Sequence, residues 1–141
     1  NKKLIMNKAI ITLFIFTTFL TACKTEINET NVSGVWKAKE FESTIPGIPA
    51  EFQEAGKKEF LSSVYTLNTD NSLEVRSDFF KAGAKGHWEL DAEKLEVAMY
   101  YEMDTIKGVE TYRILSLEKT TMVLQQDMPD MNGYVKITLQ K

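Results

Sequence analysis

Residues 95 to 102 read Leu-Glu-Val-Ala-Met-Tyr-Tyr-Glu, so that Leu95, Val97, Met99 and Tyr101 alternate with Glu96, Ala98, Tyr100 and Glu102. A period of two puts these sets on opposite faces of an extended chain, which makes the stretch a half-buried strand. Similar runs recur at Val32–Phe41, Val64–Asn68, Leu73–Asp78, Gly86–Leu90, Val109–Leu115, Thr121–Gln126 and Tyr134–Gln140, giving eight strands in all. Most of the breaks between them carry turn residues, among them Thr69-Asp70-Asn71-Ser72, Lys81-Ala82-Gly83-Ala84-Lys85, Asp91-Ala92-Glu93-Lys94 and Asp127 to Gly133. Short strands joined by close turns leave exposed edges unless the sheet closes or bends strongly. The expected fold is mainly β, an eight-stranded antiparallel meander closing into a barrel.

One segment departs from this pattern. After the turn-rich Ser43 to Pro49, the residues Phe52, Ala55, Gly56 and Phe60 fall at helical spacing, with Glu51 and Glu54 early and Lys57 and Lys58 later, as the helix dipole favours. The spacing predicts a helix from Pro49 to Ser62, between the first and second strands, packing on the barrel or lying over its mouth. Gly56 in its interior signals either a close backbone approach or a weak helix.

The chain has 141 residues and one cysteine, Cys23, so an internal disulfide is excluded. Residues 32–141 are enough for a single core without staples. Three lysines (Lys2, Lys3, Lys8) lie near the start, and the 119 residues from Cys23 onward carry 14 basic against 20 acidic side chains. That acidic balance, with charges interspersed, argues against nucleic acid as a partner.

The inward faces of the strands would carry Trp36, Tyr65, Leu67, Val75, Trp88, Val97, Met99, Tyr101, Tyr112, Ile114, Met122 and Leu124. An eight-stranded barrel either fills with such side chains or holds one small ligand, and the residue types serve both. These twelve are the candidate ligand-lining set. Catalytic chemistry has no comparable signature. His87, the only histidine, sits between Gly86 and Trp88 as a solvent-facing strand residue, and zinc or Cys-His chemistry lacks its partners within one chain. Asp127, Asp130 and Asn132 suggest calcium, and Met128 and Met131 suggest copper(I), but neither spacing is diagnostic and the stretch reads as a hairpin loop. No cofactor, no metal and no enzymatic activity are expected.

Ahead of the strands, Ala9 to Leu20 is an apolar run preceded by lysines. It falls short of the roughly 20 residues that cross a bilayer and has the layout of a secretory signal. Its end, Leu20-Thr21-Ala22-Cys23, resembles the lipobox of bacterial lipoproteins. The resemblance implies a signal peptide over 1–22, a diacylglyceryl group and further acylation (palmitate) at Cys23, and, with Lys24 following the cysteine, transfer to the outer membrane with its face left open. Two or three acyl chains make such an anchor stable without a membrane-spanning helix. Residues 23–31, polar and weakly patterned, then read as a flexible tether.

The Gly34-Val35-Trp36 motif, the helical insertion, the hairpin Leu67 to Ser72, the second motif Gly86-His87-Trp88-Glu89-Leu90 and the ending Tyr112 to Leu117 resemble the lipocalin-like lipoproteins of Bacteroidota. The likeness covers residues 32–141 and implies a lipocalin-like barrel. The expected function is a lipid-anchored envelope protein binding a small hydrophobic ligand. The alternative is a non-enzymatic interaction or structural module, an assembly factor or enzyme inhibitor, with a filled barrel and an apolar loop patch around Met128 and Met131. No protein partner is specified.

Overall fold

The computed structural model describes residues 24–103 and 105–141. The expected signal peptide and Cys23 lie outside the described residues. A short helical turn, α1 (Glu29–Val32), precedes β1 (Gly34–Ser43), and α2 (Ala50–Leu61) follows it. The chain then runs through β2 (Val64–Leu67), β3 (Ser72–Arg76), β4 (Ala84–Asp91), β5 (Glu96–Met103), β6 (Ile106–Leu117), β7 (Thr121–Met128) and β8 (Gly133–Gln140). Every strand pairs antiparallel with its neighbour in sequence, and β8 returns to β1, closing the barrel.

Closure depends on β1 serving two partners. Gly34–Lys37 pair with β2, whereas Lys37–Ser43 pair with β8, and a register shift between Ala38 and Glu40 turns the strand from one to the other. Such an irregularity adds local twist, which a small barrel needs at its seam. The alternating burial of β2, β3, β7 and β8 follows the period of two read from the sequence.

One end of the barrel is sealed. Trp36 and Trp88 are fully buried there, and each indole N–H donates to a backbone carbonyl, Trp36 to Val32 at 2.8 Å and Trp88 to Asn68 at 2.9 Å. The two Gly-x-Trp motifs therefore pin α1 and the β2–β3 hairpin, respectively, to the barrel. Lys141 adds a cation 4.6 Å above the Trp36 ring and donates to the Asn31 carbonyl at 3.1 Å. Gly34 has φ of +137°, a conformation that side chains disfavour, and a Cβ there would sit 2.7 Å from the Lys141 side chain. Val135, Ile137 and Leu139 of β8 complete the core at this seam.

Residues 24–31 depart from the expected tether. Asn28 caps α1, its side chain accepting from the Asn31 N–H at 2.9 Å. Ile27 packs against the core, Val32 is fully buried, and the Thr25 N–H donates to the Leu117 carbonyl at 3.3 Å. Apolar contacts at Ile27 and Val32 hold down a segment whose composition is otherwise polar. They also explain why β1 begins at Gly34 and not at Val32.

Helix α2 lies at the opposite, open end. None of its residues is fully buried and Phe52 is 64% exposed, so the expected apolar face does not bury as a stripe. Only its last turn engages the barrel, with Phe60 against Phe41 at 4.8 Å between ring centroids. A Cβ at Gly56 would meet nothing within 4 Å, which makes this glycine a weak point of the helix and not a close approach.

Candidate functional site at the open end of the barrel

Inward positions change character along the barrel. Toward the sealed end they hold Trp36, Leu67, Leu73, Trp88, Val97, Leu124 and Leu139, all buried. Toward the open end the same faces of β2, β3, β4 and β6 continue into Ser63, Ser77, Ala84 and Gly108. Small side chains at those positions leave the interior unfilled. The result is a pocket of about 240 Å³ lined by Glu59, Phe60, Ser63, Tyr65, Val75, Ser77, Phe80, Ala84, Tyr101, Gly108 and Glu110.

Tyr101 shapes one wall. Its register partners on both sides are glycines, Gly86 on β4 and Gly108 on β6. A Cβ at Gly108 would lie 3.0 Å from the Tyr101 ring, so the ring lies down over that strand as an aromatic residue covering a glycine does.

The rim is tied by polar contacts between α2 and the β3–β4 loop. The Glu59 carboxylate accepts from the Ser77 hydroxyl and from the Phe79 N–H at 3.1 Å, and Ser62 Oγ accepts from the Asp78 N–H at 2.9 Å. These bonds replace strand pairing after Arg76, which is why β3 stops short of the Asp78 expected from alternation. Phe80 faces the pocket, while Phe79, in edge contact with it at 4.8 Å, is 75% exposed.

Below the rim, Glu110 presents a carboxylate to the interior. The Tyr112 hydroxyl donates to its Oε2 at 2.8 Å. Burial raises the phenols of Tyr65, Tyr101 and Tyr112 above the usual tyrosine value, and the Glu110 charge adds to the rise. All three therefore stay protonated at neutral pH and remain hydrogen-bond donors.

The twelve residues expected to line the interior all lie on inward positions, but they do not gather around one site. Tyr65, Val75 and Tyr101 border the pocket. Trp36, Leu67, Trp88, Val97, Met99, Tyr112, Ile114, Met122 and Leu124 belong to the packed core. Glu110 escaped the sequence reading, although two steps of alternation back from Ile114 through Tyr112 reach it. Ser63, Ser77, Phe80 and the rim carboxylate of Glu59 carry no signal of their own in the sequence.

Other candidates fall elsewhere. His87 is exposed on the outer face, stacked on Tyr100 at 4.4 Å. In the Asp127–Gly133 stretch, read as a loop, Asp127 and Met128 end β7 and Gly133 opens β8, and the connection is a 3-10 turn over Pro129–Met131 closed by Asn132 in the left-handed region. Met128 packs against the core and Met131 is 54% exposed. Comparison with family models, with curated proteins and with solved structures returned no match.

Proposed function

We propose that this chain is a lipid-anchored envelope protein whose lipocalin-like barrel takes up one small hydrophobic molecule at its open end. The observation that carries the reading is the pocket. Its volume of about 240 Å³ exceeds the roughly 150 Å³ cavity known to admit benzene and falls below the ~300 Å³ at which drug-sized sites begin. Apolar walls with a few convergent polar groups are the usual make-up of a small-molecule site. The anchor rests on Leu20-Thr21-Ala22-Cys23 and the apolar run before it.

Toluene tests the pocket. Titration calorimetry on the purified protein should register saturable uptake with unit stoichiometry. An Ala84→Phe variant, which fills the pocket, should lose it while keeping the circular dichroism of the barrel. Absence of uptake by the parent protein would sink the reading. The anchor is checked separately by growing cells on labelled palmitate, where label should enter the protein and vanish in a Cys23→Ala variant. Label persisting in that variant would overturn the assignment of Cys23.

A second reading, an interaction module, draws support from Phe79 and Phe52, exposed on the β3–β4 loop and on α2. Large apolar side chains in water on neighbouring rim elements suit a protein contact. This reading gains if toluene is not taken up.

A further inference from the structure

We propose that the pocket selects a small apolar molecule carrying a cationic amine, with the Glu110 carboxylate as its counter-charge. The proposal rests on reading the open-end pocket as a ligand site and names the class of ligand that the site admits.

The charge of the lining is one-sided. Glu59 and Glu110 border the pocket, and no lysine, arginine or histidine is among the described residues that line it. Neither carboxylate takes part in an ion pair among the described residues. The two differ in their commitments. Glu59, at the rim, is held by Ser77 and the Phe79 backbone and serves to tie α2 to the loop. Glu110 sits deeper, opposite Met99 across the β5–β6 pair, and among the described residues receives one donor, the Tyr112 hydroxyl.

A carboxylate has about four lone-pair sites, so one tyrosine hydroxyl leaves acceptor capacity for a further donor. Facing apolar walls, this group has lost part of its hydration, and an ammonium would restore the interaction as a charge-assisted hydrogen bond. The low local dielectric strengthens that attraction and equally strengthens repulsion of an anion. A fatty acid would meet like charge at Glu110 and Glu59 with no cation to receive its headgroup. Tyr65 and Tyr101 border the space that the ammonium would enter, and Phe60, Val75, Phe80 and Ala84 supply apolar wall for its hydrocarbon body.

Size narrows the class further. Scaling from benzene in a roughly 150 Å³ cavity, the pocket holds about ten non-hydrogen atoms. An aryl-alkyl amine of one ring fits that limit, and a long acyl chain does not.

The test is a ranking of three probes of nearly equal size, 2-phenylethylamine, 2-phenylethanol and phenylacetate, by titration calorimetry on the purified protein at neutral pH. The amine should bind roughly tenfold or more tighter than the alcohol, with phenylacetate weakest. Glu110→Gln, which preserves shape, should cost the amine about tenfold and change the alcohol by no more than about threefold. Phenylacetate binding as tightly as the amine, or Glu110→Gln leaving the amine's lead intact, would overturn the proposal. The parent ranking decides even if the variant fails to fold. Should toluene and the alcohol bind with no preference for the amine, the charge assignment falls and the pocket reading stands. Should toluene and all three probes fail to bind, both fall.

Discussion

A Trp36→Ala variant should lose about 4 kcal/mol of stability, read as a lower urea midpoint with the slope of the transition unchanged. The ring is fully buried, so truncation removes its packing and opens a cavity at the sealed end. The Val32 carbonyl loses its 2.8 Å donor, and the Lys141 ammonium loses the ring beneath it. Small domains have only about 5–15 kcal/mol in total. The variant should therefore be close to unfolding at 37 °C. Trp36→Phe, which restores most of the apolar volume but not the N–H, should cost about 2 kcal/mol. If Trp36→Ala were to cost less than about 1 kcal/mol, the sealed end would not be the structural base assigned to it.

Gly86→Ala should be nearly as damaging. Its Cβ would stand 1.7 Å from the Tyr100 carbonyl oxygen and 2.9 Å from the Tyr101 Cα, both backbone atoms that no side-chain rotation can move. β4 and β5 would have to separate along the segment that carries Tyr101. A loss of about 3 kcal/mol follows, or roughly 10 °C in Tm. Gly108→Ala offers the control. There the obstacle is the Tyr101 ring, 3.0 Å from the added atom, which can shift. Equal damage from the two substitutions would contradict the distinction between backbone and side-chain clash. Differential scanning calorimetry on both variants makes the comparison.

Much of the barrel was legible because strand period and turn chemistry agree along the chain. Glu96 to Glu102 shows both faces of β5, and Trp36 and Trp88 declare themselves as buried by type and by phase. Leu95, inward by phase, instead lies in the turn before β5 with φ of +57° and is 42% exposed. The pocket was less legible, for a physical reason. A core and a pocket use the same apolar residues, and what separates them here is a set of small inward positions, Ser63, Ser77, Ala84 and Gly108, in or next to four different strands. Their coincidence at one end exists only after the strands are in register. Glu110 was hidden by its chemistry, since an acidic residue in a strand is read as outward even where alternation points it in. Lys141 over Trp36 was hidden by distance along the chain, because only closure of β8 on β1 brings the two together. The segment before β1 misled by composition. A single helical turn is too short for periodicity to register, and its two anchoring residues, Ile27 and Val32, are isolated among polar ones.

That docked segment also sets a direction. The Thr25 N–H is tied to the Leu117 carbonyl at the sealed end, so the first described residues enter the barrel at its base, opposite the mouth. If the proposed acyl anchor at Cys23 is present, it joins the chain on the side of the base and not of the mouth. Eight-residue strands, tilted as in a barrel, set the mouth roughly 20 Å from that base. A ligand of the open-end pocket would then meet the barrel on the side away from the anchor.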